Sequence, residues 1–543
     1  MEPSLNGLLN SGIGSICNRS RQDFQTFKSV FPDTILRPIY CILPPVSNDR
    51  ESIVRQMNFS NTQEPTTIRQ NELLQSSSER ETLLNQAISE INDFYDRIDD
   101  RRVRPDIDAE TIRNHLSSYD FTQSRDHSQL LEDVAACMKS WSLHTPHPRY
   151  YGLFNPASSD VGIAADLMVA GLNPQLGAWH HNPFGVEVEA HLIRYFANQF
   201  GLGPSAYGNF TGGGSEANFS AVVVALTNQF PTFAKSGVRG LPGQPVIYCS
   251  EEFHHSFVKI AHQCGLGRDA VHLVPVTGQN VMNVETLKSA IERDRNNGFA
   301  PFMVVGTGGT TNAGLVEPLG EIAAVAKAES IHFHVDAAWG GAAILSDNHK
   351  AKLAGIECAD SITFDPHKLL SVPMGAGIII VREHQWLRDA FGLQIDYVPQ
   401  SPTENLDNYQ HSFQFSRRFI GLKVFMTLAS LGRQGVGTVI DRQFENAKVL
   451  ADKLEKAEFE VLNGASMGVV CFVPPAAWKF ESHEQFDSFV ERVCQTGEAW
   501  ISTTKLGGRS VIRACITNHM TNETDLEALV NLLLENHLAS KAI

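Results

Sequence analysis

One lysine stands in unusual surroundings, in the stretch SITFDPHKLLS of residues 361–371. Lys368 follows a short apolar run, a proline and a histidine, and a second apolar run starts directly after it. Such a lysine either turns its ammonium group out to water or lies buried, where an unpaired charge is costly. Residues elsewhere in the chain decide between the two, because a desolvated lysine is suited to condense with an aldehyde.

Three other segments carry groups with a defined chemistry. The stretch NFTGGGSEANFSAVVVAL, residues 209–226, is a glycine-rich turn that runs into a helical pattern and offers backbone N–H groups to a phosphate. It matches neither of the glycine-rich patterns of nucleoside triphosphate and dinucleotide sites. Asp336 ends one apolar run, and His254 follows another. Taken singly, these features also describe a tight turn, a structural hydrogen bond and a core histidine.

Together with Lys368, the three segments contain the groups that bind pyridoxal phosphate. A lysine amine condenses with the aldehyde, and an aspartate pairs with the pyridine nitrogen and keeps it protonated. A histidine ring stacks on the pyridine, and a glycine-rich turn lets the backbone approach the phosphate. The sequence therefore predicts a pyridoxal phosphate site built from Lys368, Asp336, His254 and the glycine-rich turn.

The segments that position these residues alternate between short apolar runs and helical patterns. Runs such as PVIYCS, PFMVVGTG and GAGIIIV are apolar without alternation, as in strands that are buried on both faces of a mostly parallel sheet. A further helix is predicted over residues 417–435. We predict an α/β fold with four regions: a polar, flexible extension over 1–75, a helical arm over 76–145, a large cofactor-binding domain over 146–435 and a small α/β domain over 436–543.

Composition excludes several classes of function. The formal net charge of −16 argues against nucleic acid or an anionic membrane as the main partner. No window approaches the roughly 18 consecutive apolar residues of a transmembrane helix, and the start lacks the layout of a secretory signal. The nine cysteines are odd in number and include no C-x-x-C, and the paired histidines of EEFHHSF lack a metal-ligand spacing. We therefore expect no bound metal and a reducing, cytoplasmic compartment.

Residues from about 80 to 535 resemble the group II pyridoxal-phosphate-dependent amino acid decarboxylases, which include the glutamate, aromatic amino acid, histidine and diaminobutyrate enzymes. The resemblance rests on HVDAAWGG, in which Asp336 precedes the lysine of DPHK by 32 residues. HPRYYGLFNP, SRRFIGLK and VIRACITNHMT support it from three other regions. The resemblance implies the fold-type I architecture of the aspartate aminotransferase-like transferases, and a homodimer with shared active sites in which the helical arm takes part.

The resemblance also implies the roles of single residues. Lys368 binds the cofactor covalently, Asp336 holds the ring nitrogen and His254 stacks on the ring. Gly214 and Ser215 fall at the phosphate positions. The remaining implied cofactor contacts are Thr311, beside the ring, Ala338, and His367, a neighbour of the phosphate and of the proton transfers.

The resemblance leaves the substrate open. NPQLGAW aligns with the segment that meets the substrate side chain, and its polar Gln175 resembles the glutamate enzymes more than the aromatic ones. SRRF, in contrast, resembles the aromatic and histidine branch. The candidate substrate contacts are Tyr150, Gln175, Gly177, Ser416 and Arg513. We expect decarboxylation of a polar or acidic L-amino acid, with an aromatic amino acid or histidine decarboxylase, an aldehyde synthase or a catalytically silent homologue as alternatives.

Tyr397 generates a prediction about the reaction. It lies in FGLQIDYVPQ, where the decarboxylases carry a tyrosine that helps to protonate Cα and the related aldehyde synthases typically carry phenylalanine. We expect Tyr397→Phe to lower amine formation by about 10²-fold, the usual contribution of a positioned acid. Aldehyde, ammonia and peroxide should appear in place of amine, with cofactor binding nearly unchanged. Amine production at the wild-type rate would instead assign the proton to His367 or Lys368.

Overall fold

The computed structural model describes residues 73–393, 395, 407–480 and 482–541. The chain divides into two units, residues 1–82 and 83–543. The described part of the first unit is residues 73–82, where the first helix begins. All strands lie in the second unit. Tyr397 lies outside the described residues.

The larger of two sheets has seven strands. They are β1 (Tyr207–Thr211), β2 (Pro245–Ser250), β3 (Val271–Val274), β4 (Ala300–Thr307), β5 (His332–Asp336), β6 (Ser361–Phe364) and β7 (Gly377–Val381). Their order is β1-β7-β6-β5-β4-β2-β3. Strand β7 runs in the opposite direction to the other six strands. Every residue of β1, β2, β5, β6 and β7 is buried, so both faces of the sheet are covered. The predicted mostly parallel α/β fold is confirmed.

Fourteen α-helices occur within the described residues. They are α1 (Ser77–Asp96), α2 (Ala109–Ser117), α3 (His127–Trp141), α4 (Asp160–Leu172), α5 (Pro183–Gln199), α6 (Gly214–Gln229), α7 (Phe233–Ser236), α8 (Ser256–Gln263), α9 (Val284–Asn296), α10 (Leu319–Glu329), α11 (His384–Phe391), α12 (Gly421–Lys456), α13 (His483–Gln495) and α14 (Glu523–Lys541). Helix α6 follows β1 directly and packs against the central strands. The glycine-rich turn is therefore the link between an outer strand and a core helix.

The smaller sheet is antiparallel and has its own apolar core. Its strands are β8 (Glu460–Val461), β9 (Val469–Val473), β10 (Ser502–Leu506) and β11 (Arg509–Cys515), in the order β10-β11-β9-β8. Gly507 and Gly508 join β10 to β11, both at positive φ, as a two-residue hairpin turn requires. A second cluster of buried apolar side chains lies between this sheet and the C-terminal helices.

The start of α12 is fixed by a buried ion pair. The helix predicted over residues 417–435 begins at Gly421 and continues to Lys456, with an interruption at Gly432, where φ is 65° and ψ is 168°. Just before it, the guanidinium of Arg417 pairs with Glu189 of α5 and donates to the carbonyl of Phe210 in β1 over 3.0 Å. The motif SRRF therefore ties α12 to the strand that leads into the glycine-rich turn.

Two observations bear on the compartment expected from the sequence. None of the helices that the structure describes is long and apolar enough to cross a membrane. The seven cysteines within the described residues are all free thiols.

Candidate active site

Six strands of the large sheet end at one edge. Strands β2 to β6 are mutually parallel, and β1 shares their direction because both β1 and β6 are antiparallel to β7. The glycine-rich turn follows β1, His254 follows β2, and Asp336 is the last residue of β5. Lys368 comes shortly after β6. The parallel course of the strands therefore brings together segments that are far apart in sequence.

A cavity of about 440 Å³ opens at this edge. All eight residues predicted to contact the cofactor are among those that line it, together with several that the sequence did not indicate. The lining residues are Gly212, Gly213, Gly214, Ser215, Glu216, Asn218, His254, Thr307, Gly309, Thr311, Asp336, Ala338, Trp339, Asp365, His367, Lys368 and Met374.

Lys368 neither reaches out to bulk water nor lies unpaired. Its ammonium nitrogen is 3.1 Å from Oδ2 of Asp365, a carboxylate that is almost fully buried. The other oxygen of Asp365 has no hydrogen-bond partner. The ammonium group also lies 5.8 Å from the centre of the Phe154 ring. A nearby carboxylate and an aromatic face thus hold the lysine at the cavity wall.

Asp336 is a buried carboxylate whose charge is not balanced. Its Oδ2 accepts a hydrogen bond from the amide of Asn218 over 2.8 Å, and its Oδ1 accepts one from the backbone N–H of Ala338 over 3.1 Å. Both donors are neutral, and no cationic side chain in the described ranges forms an ion pair with it. A buried carboxylate in this position favours a cationic N–H donor, which the protonated pyridine nitrogen supplies. The site fits the predicted cofactor in this respect.

The start of α6 packs closely against its neighbours because its residues are small. A Cβ atom at Gly214 would lie 2.8 Å from a carboxylate oxygen of Asp365 and 3.1 Å from the Cβ of Ala338. The backbone N–H of Gly212 donates to Glu216 over 2.7 Å, so an anionic group already binds a donor of this turn. Backbone donors at the start of a helix suit a phosphate in the same way.

Burial disfavours the charged form of two histidines in the cavity. Burial lowers the pKa of His254 below its ordinary value, and its Nδ1 lies 2.8 Å from the hydroxyl of Ser256. Burial likewise lowers the pKa of His367, whose Nδ1 lies 2.7 Å from the carbonyl of Ala376. An uncharged imidazole can stack on a protonated pyridine ring without charge repulsion.

Arg513 lies beside the cavity with an incompletely bonded guanidinium. The side chain is only 4% exposed, and its Nη1 donates to the carbonyl of Gly152 over 2.6 Å. Its Nε and Nη2 have no hydrogen-bond partner among the residues that the structure describes. The guanidinium carbon lies 4.8 Å from the centre of the Phe154 ring, the same ring that Lys368 approaches. Phe154 in turn stacks on Trp339, with ring centres 3.9 Å apart.

Arg513 and the other candidate substrate residues are not among the residues that line the cavity. Tyr150 is buried, stacks on Trp500 at 5.3 Å, and has its pKa raised to about 12 by burial. The Gln175 side chain accepts a hydrogen bond from the backbone of Gly177, and Ser416 is exposed. A Cβ atom at Gly177 would meet the carbonyl oxygen of residue 415 at 2.1 Å, so close backbone packing requires glycine there. Their roles toward the substrate stay predictions.

A separate cluster of possible metal ligands lies on α2 and α3. His115 Nε2 is 3.0 Å from Asp133 Oδ2 and 3.4 Å from the sulfur of Cys137, and Tyr119 donates to the same carboxylate oxygen. These hydrogen bonds account for the cluster without an ion. The expectation that the protein holds no metal stays a prediction.

Comparison with known proteins agrees with this geometry. Residues 112–474 match the pyridoxal-dependent decarboxylase conserved domain. The chain belongs to the pyridoxal-dependent decarboxylase family. It is a pyridoxal-phosphate-dependent carboxy-lyase that acts on an amino acid, as the sequence predicted.

Relatives of this decarboxylase differ in substrate. The aromatic-L-amino-acid decarboxylase of Bacillus atrophaeus is 29% identical over 458 residues, which cover 83% of this chain and 94% of the relative. The human cysteine sulfinic acid decarboxylase is 31% identical over 428 residues, which cover 76% of this chain and 86% of the relative. The crystal structure of mouse CSAD matches with a TM-score of 0.80 at 27% identity, over 85% of this chain and 99% of that one.

The position of Lys368 predicts where the cofactor is attached. Borohydride reduction of the purified, yellow decarboxylase should fix a pyridoxyl group on Lys368 alone, as read by peptide mass mapping. Lys368→Ala should keep the fold and lose the reducible adduct. Lys423, which is buried against Asp166 outside this cavity, is the natural internal control, because it should carry no label. A pyridoxyl group on any other lysine would contradict the assignment.

Proposed function

We propose that the decarboxylase converts a polar or acidic L-amino acid into its amine and carbon dioxide. The observation that carries this proposal is the buried guanidinium of Arg513. Two unbonded nitrogens on a buried cation are unfavourable, and a carboxylate that accepts from both in a fork removes that cost. Within the described residues no carboxylate occupies this place, so we assign it to the substrate.

Each of the residues at the site has a separate role around the reacting carbon. Bound pyridoxal phosphate supplies an electron sink for the electrons that remain on Cα when carbon dioxide leaves. Asp336 keeps a negative charge against the ring nitrogen, and His254 covers the ring face. Arg513 holds a carboxylate beside Phe154, where Trp339 excludes water from one side. Lys368, which would hold the cofactor, has its amine 3.1 Å from Asp365.

The lining of the cavity favours a polar over an aromatic substrate. Its wall is mostly polar or glycine, with Trp339 and Met374 as its large apolar members. Aromatic L-amino acids are the second candidate, because the stacked rings of Phe154 and Trp339 offer a flat apolar surface.

The test is an amine-product screen of purified holoenzyme against the common L-amino acids, cysteine sulfinate and diaminobutyrate. We expect amine from acidic or polar substrates, with carbon dioxide and amine in equal amounts. Arg513→Met keeps the length of the side chain and removes the charge, and should lower kcat/KM by roughly 10²-fold, the cost of a lost charged hydrogen-bond pair. The cofactor content should not change.

The matched control is Arg509→Met on the same strand. Arg509 is exposed and pairs with Glu460 at the surface, so its loss should leave kcat/KM within about twofold. Amine from aromatic substrates alone would contradict the proposed substrate class. Ammonia and peroxide in place of amine would instead indicate an aldehyde synthase.

We further propose that the decarboxylase is a homodimer that pairs through its N-terminal helices. Leu84, Ile88 and Ile91 follow helical spacing on α1 and are 41%, 43% and 40% exposed in the single chain. A stripe of this kind on a lone subunit exposes apolar surface that a second copy covers. Light scattering should give twice the chain mass, and Ile88→Glu should shift the mass toward one chain. A fully active monomer would contradict the proposal.

A further inference from the structure

A chain of hydrogen bonds between buried side chains leads from β5 and β6 to Asp336. It joins His332, Ser361, His334, Asn218 and Asp336 in that order, and all five are buried. Successive donor–acceptor distances are 2.8, 2.8, 3.1 and 2.8 Å. Only the last residue was indicated by the sequence as part of the site.

The chemistry of the groups gives this chain one direction. An ionised carboxylate only accepts hydrogen bonds, so the NH₂ group of Asn218 must face Asp336 and its oxygen must face His334. The Nε2 of His334 therefore carries a proton and donates to that oxygen. Burial lowers the pKa of His334 to about 3, so the ring is neutral and its Nδ1 is bare. Nδ1 then accepts from the hydroxyl of Ser361.

The same reasoning extends to the start of the chain. With its own proton donated to His334, the oxygen of Ser361 accepts from the Nε2–H of His332. The Nδ1 of His332 has no hydrogen-bond partner, as suits the bare nitrogen of a neutral ring. Each donor in the series points toward Asp336, and hydrogen bonds aligned in this way strengthen one another in a low-dielectric interior.

A second series of hydrogen bonds starts at the same amide group, that of Asn218. The Nδ2 of Asn218 also lies 3.3 Å from the hydroxyl oxygen of Ser256, which is 2.8 Å from Nδ1 of His254. The backbone N–H of Ser256 points to the same Nδ1 over 3.3 Å. The hydroxyl and the backbone N–H of Ser256 both face Nδ1, so this nitrogen accepts hydrogen bonds. An uncharged His254 ring then carries its proton on Nε2.

We propose that Asn218 is a positioning residue that fixes the ionised state of Asp336 and the tautomer of His254, with His334 holding its amide in the required orientation. A carboxylate is stabilised by each hydrogen bond that it accepts, so the network keeps Asp336 ionised in a buried place. An ionised Asp336 keeps the pyridine nitrogen protonated, which the electron sink requires. The inference holds for any substrate and is therefore independent of the proposed substrate class.

Cofactor labelled with ¹⁵N in the ring tests the proposal without any turnover. In the wild-type holoenzyme the ¹⁵N shift should be that of a protonated pyridine. In Asn218→Leu, which keeps the branched four-heavy-atom side chain and has no donor, the shift should move toward the unprotonated value. Titration of the apo-protein with pyridoxal phosphate should show an affinity at least about tenfold lower, the usual effect of losing a hydrogen bond to a charged group.

A pair of variants at His334 separates the hydrogen bond from simple packing. His334→Gln can still donate an N–H to Asn218, whereas His334→Leu cannot. The ¹⁵N shift should stay near wild type in the first and move in the second. Equal shifts in both variants would overturn the role of His334, and this comparison remains informative if Asn218→Leu does not fold.

Asn209→Leu is the control for the loss of a buried amide. Asn209 is equally buried, on β1, and donates to the carbonyl of His411 instead of to a cavity residue. We expect it to lower the unfolding midpoint while leaving the ¹⁵N shift unchanged. A wild-type shift and a wild-type affinity in folded Asn218→Leu would overturn the proposal.

Discussion

A buried carboxylate with no cation against it is the constraint on which the active site depends. Asp336 ends β5 in the middle of the large sheet and accepts hydrogen bonds only from neutral donors. Its charge is tolerable in the interior because those donors are oriented, and a protonated ring nitrogen would complete the pair. Strand order, the helix that carries Asn218 and the turn at Ala338 all serve to place these donors.

The charges of the cavity form a consistent set. Lys368 has Asp365 as its partner, whereas Asp336 and Arg513 have no ionic partner among the described residues. The two unbalanced groups have opposite signs, and under the proposed function Asp336 would face the ring nitrogen and Arg513 a carboxylate of the substrate. Phe154 lies under both Lys368 and Arg513 and keeps the two cations beside an aromatic face.

Contacts outside the active site hold the residues of the site in position. The pair between Arg417 and Glu189 ties the start of α12 to α5 and to β1, the strand that leads into the phosphate turn. The small antiparallel sheet contributes Arg513 from β11, so the position of this guanidinium depends on a second core. A family with varied substrates can thus keep one cofactor site while the residues around Arg513 change.

The sequence by itself determined the fold class, the cofactor and a set of residues that the structure places around one cavity. Those signals are local: Asp336 and Lys368 lie next to apolar strands, and glycines that tolerate close backbone approach precede α6. β10 was not predicted, because its exposed polar residues alternate with half-buried ones and lack the continuous apolar pattern. Gln175 and Gly177 were taken as pocket residues, whereas the structure shows them in a turn outside the cavity lining.

Only the tertiary structure decided which side chains support the site. In the sequence, Asn218 has no feature that distinguishes it from other helix residues. It contacts Asp336, which is 118 positions later in the chain, because α6 packs against the central strands. Nothing in the motif DPHK marked Asp365 as a partner of the lysine. The structure places its carboxylate 3.1 Å from the ammonium nitrogen of Lys368. Arg513 belongs to β11 of the small sheet, and its guanidinium lies over the ring of Phe154, which belongs to the core of the large sheet. Hydrogen bonds and ion pairs of this kind join groups that are distant in sequence, and sequence patterns record only the spacing of neighbours along the chain.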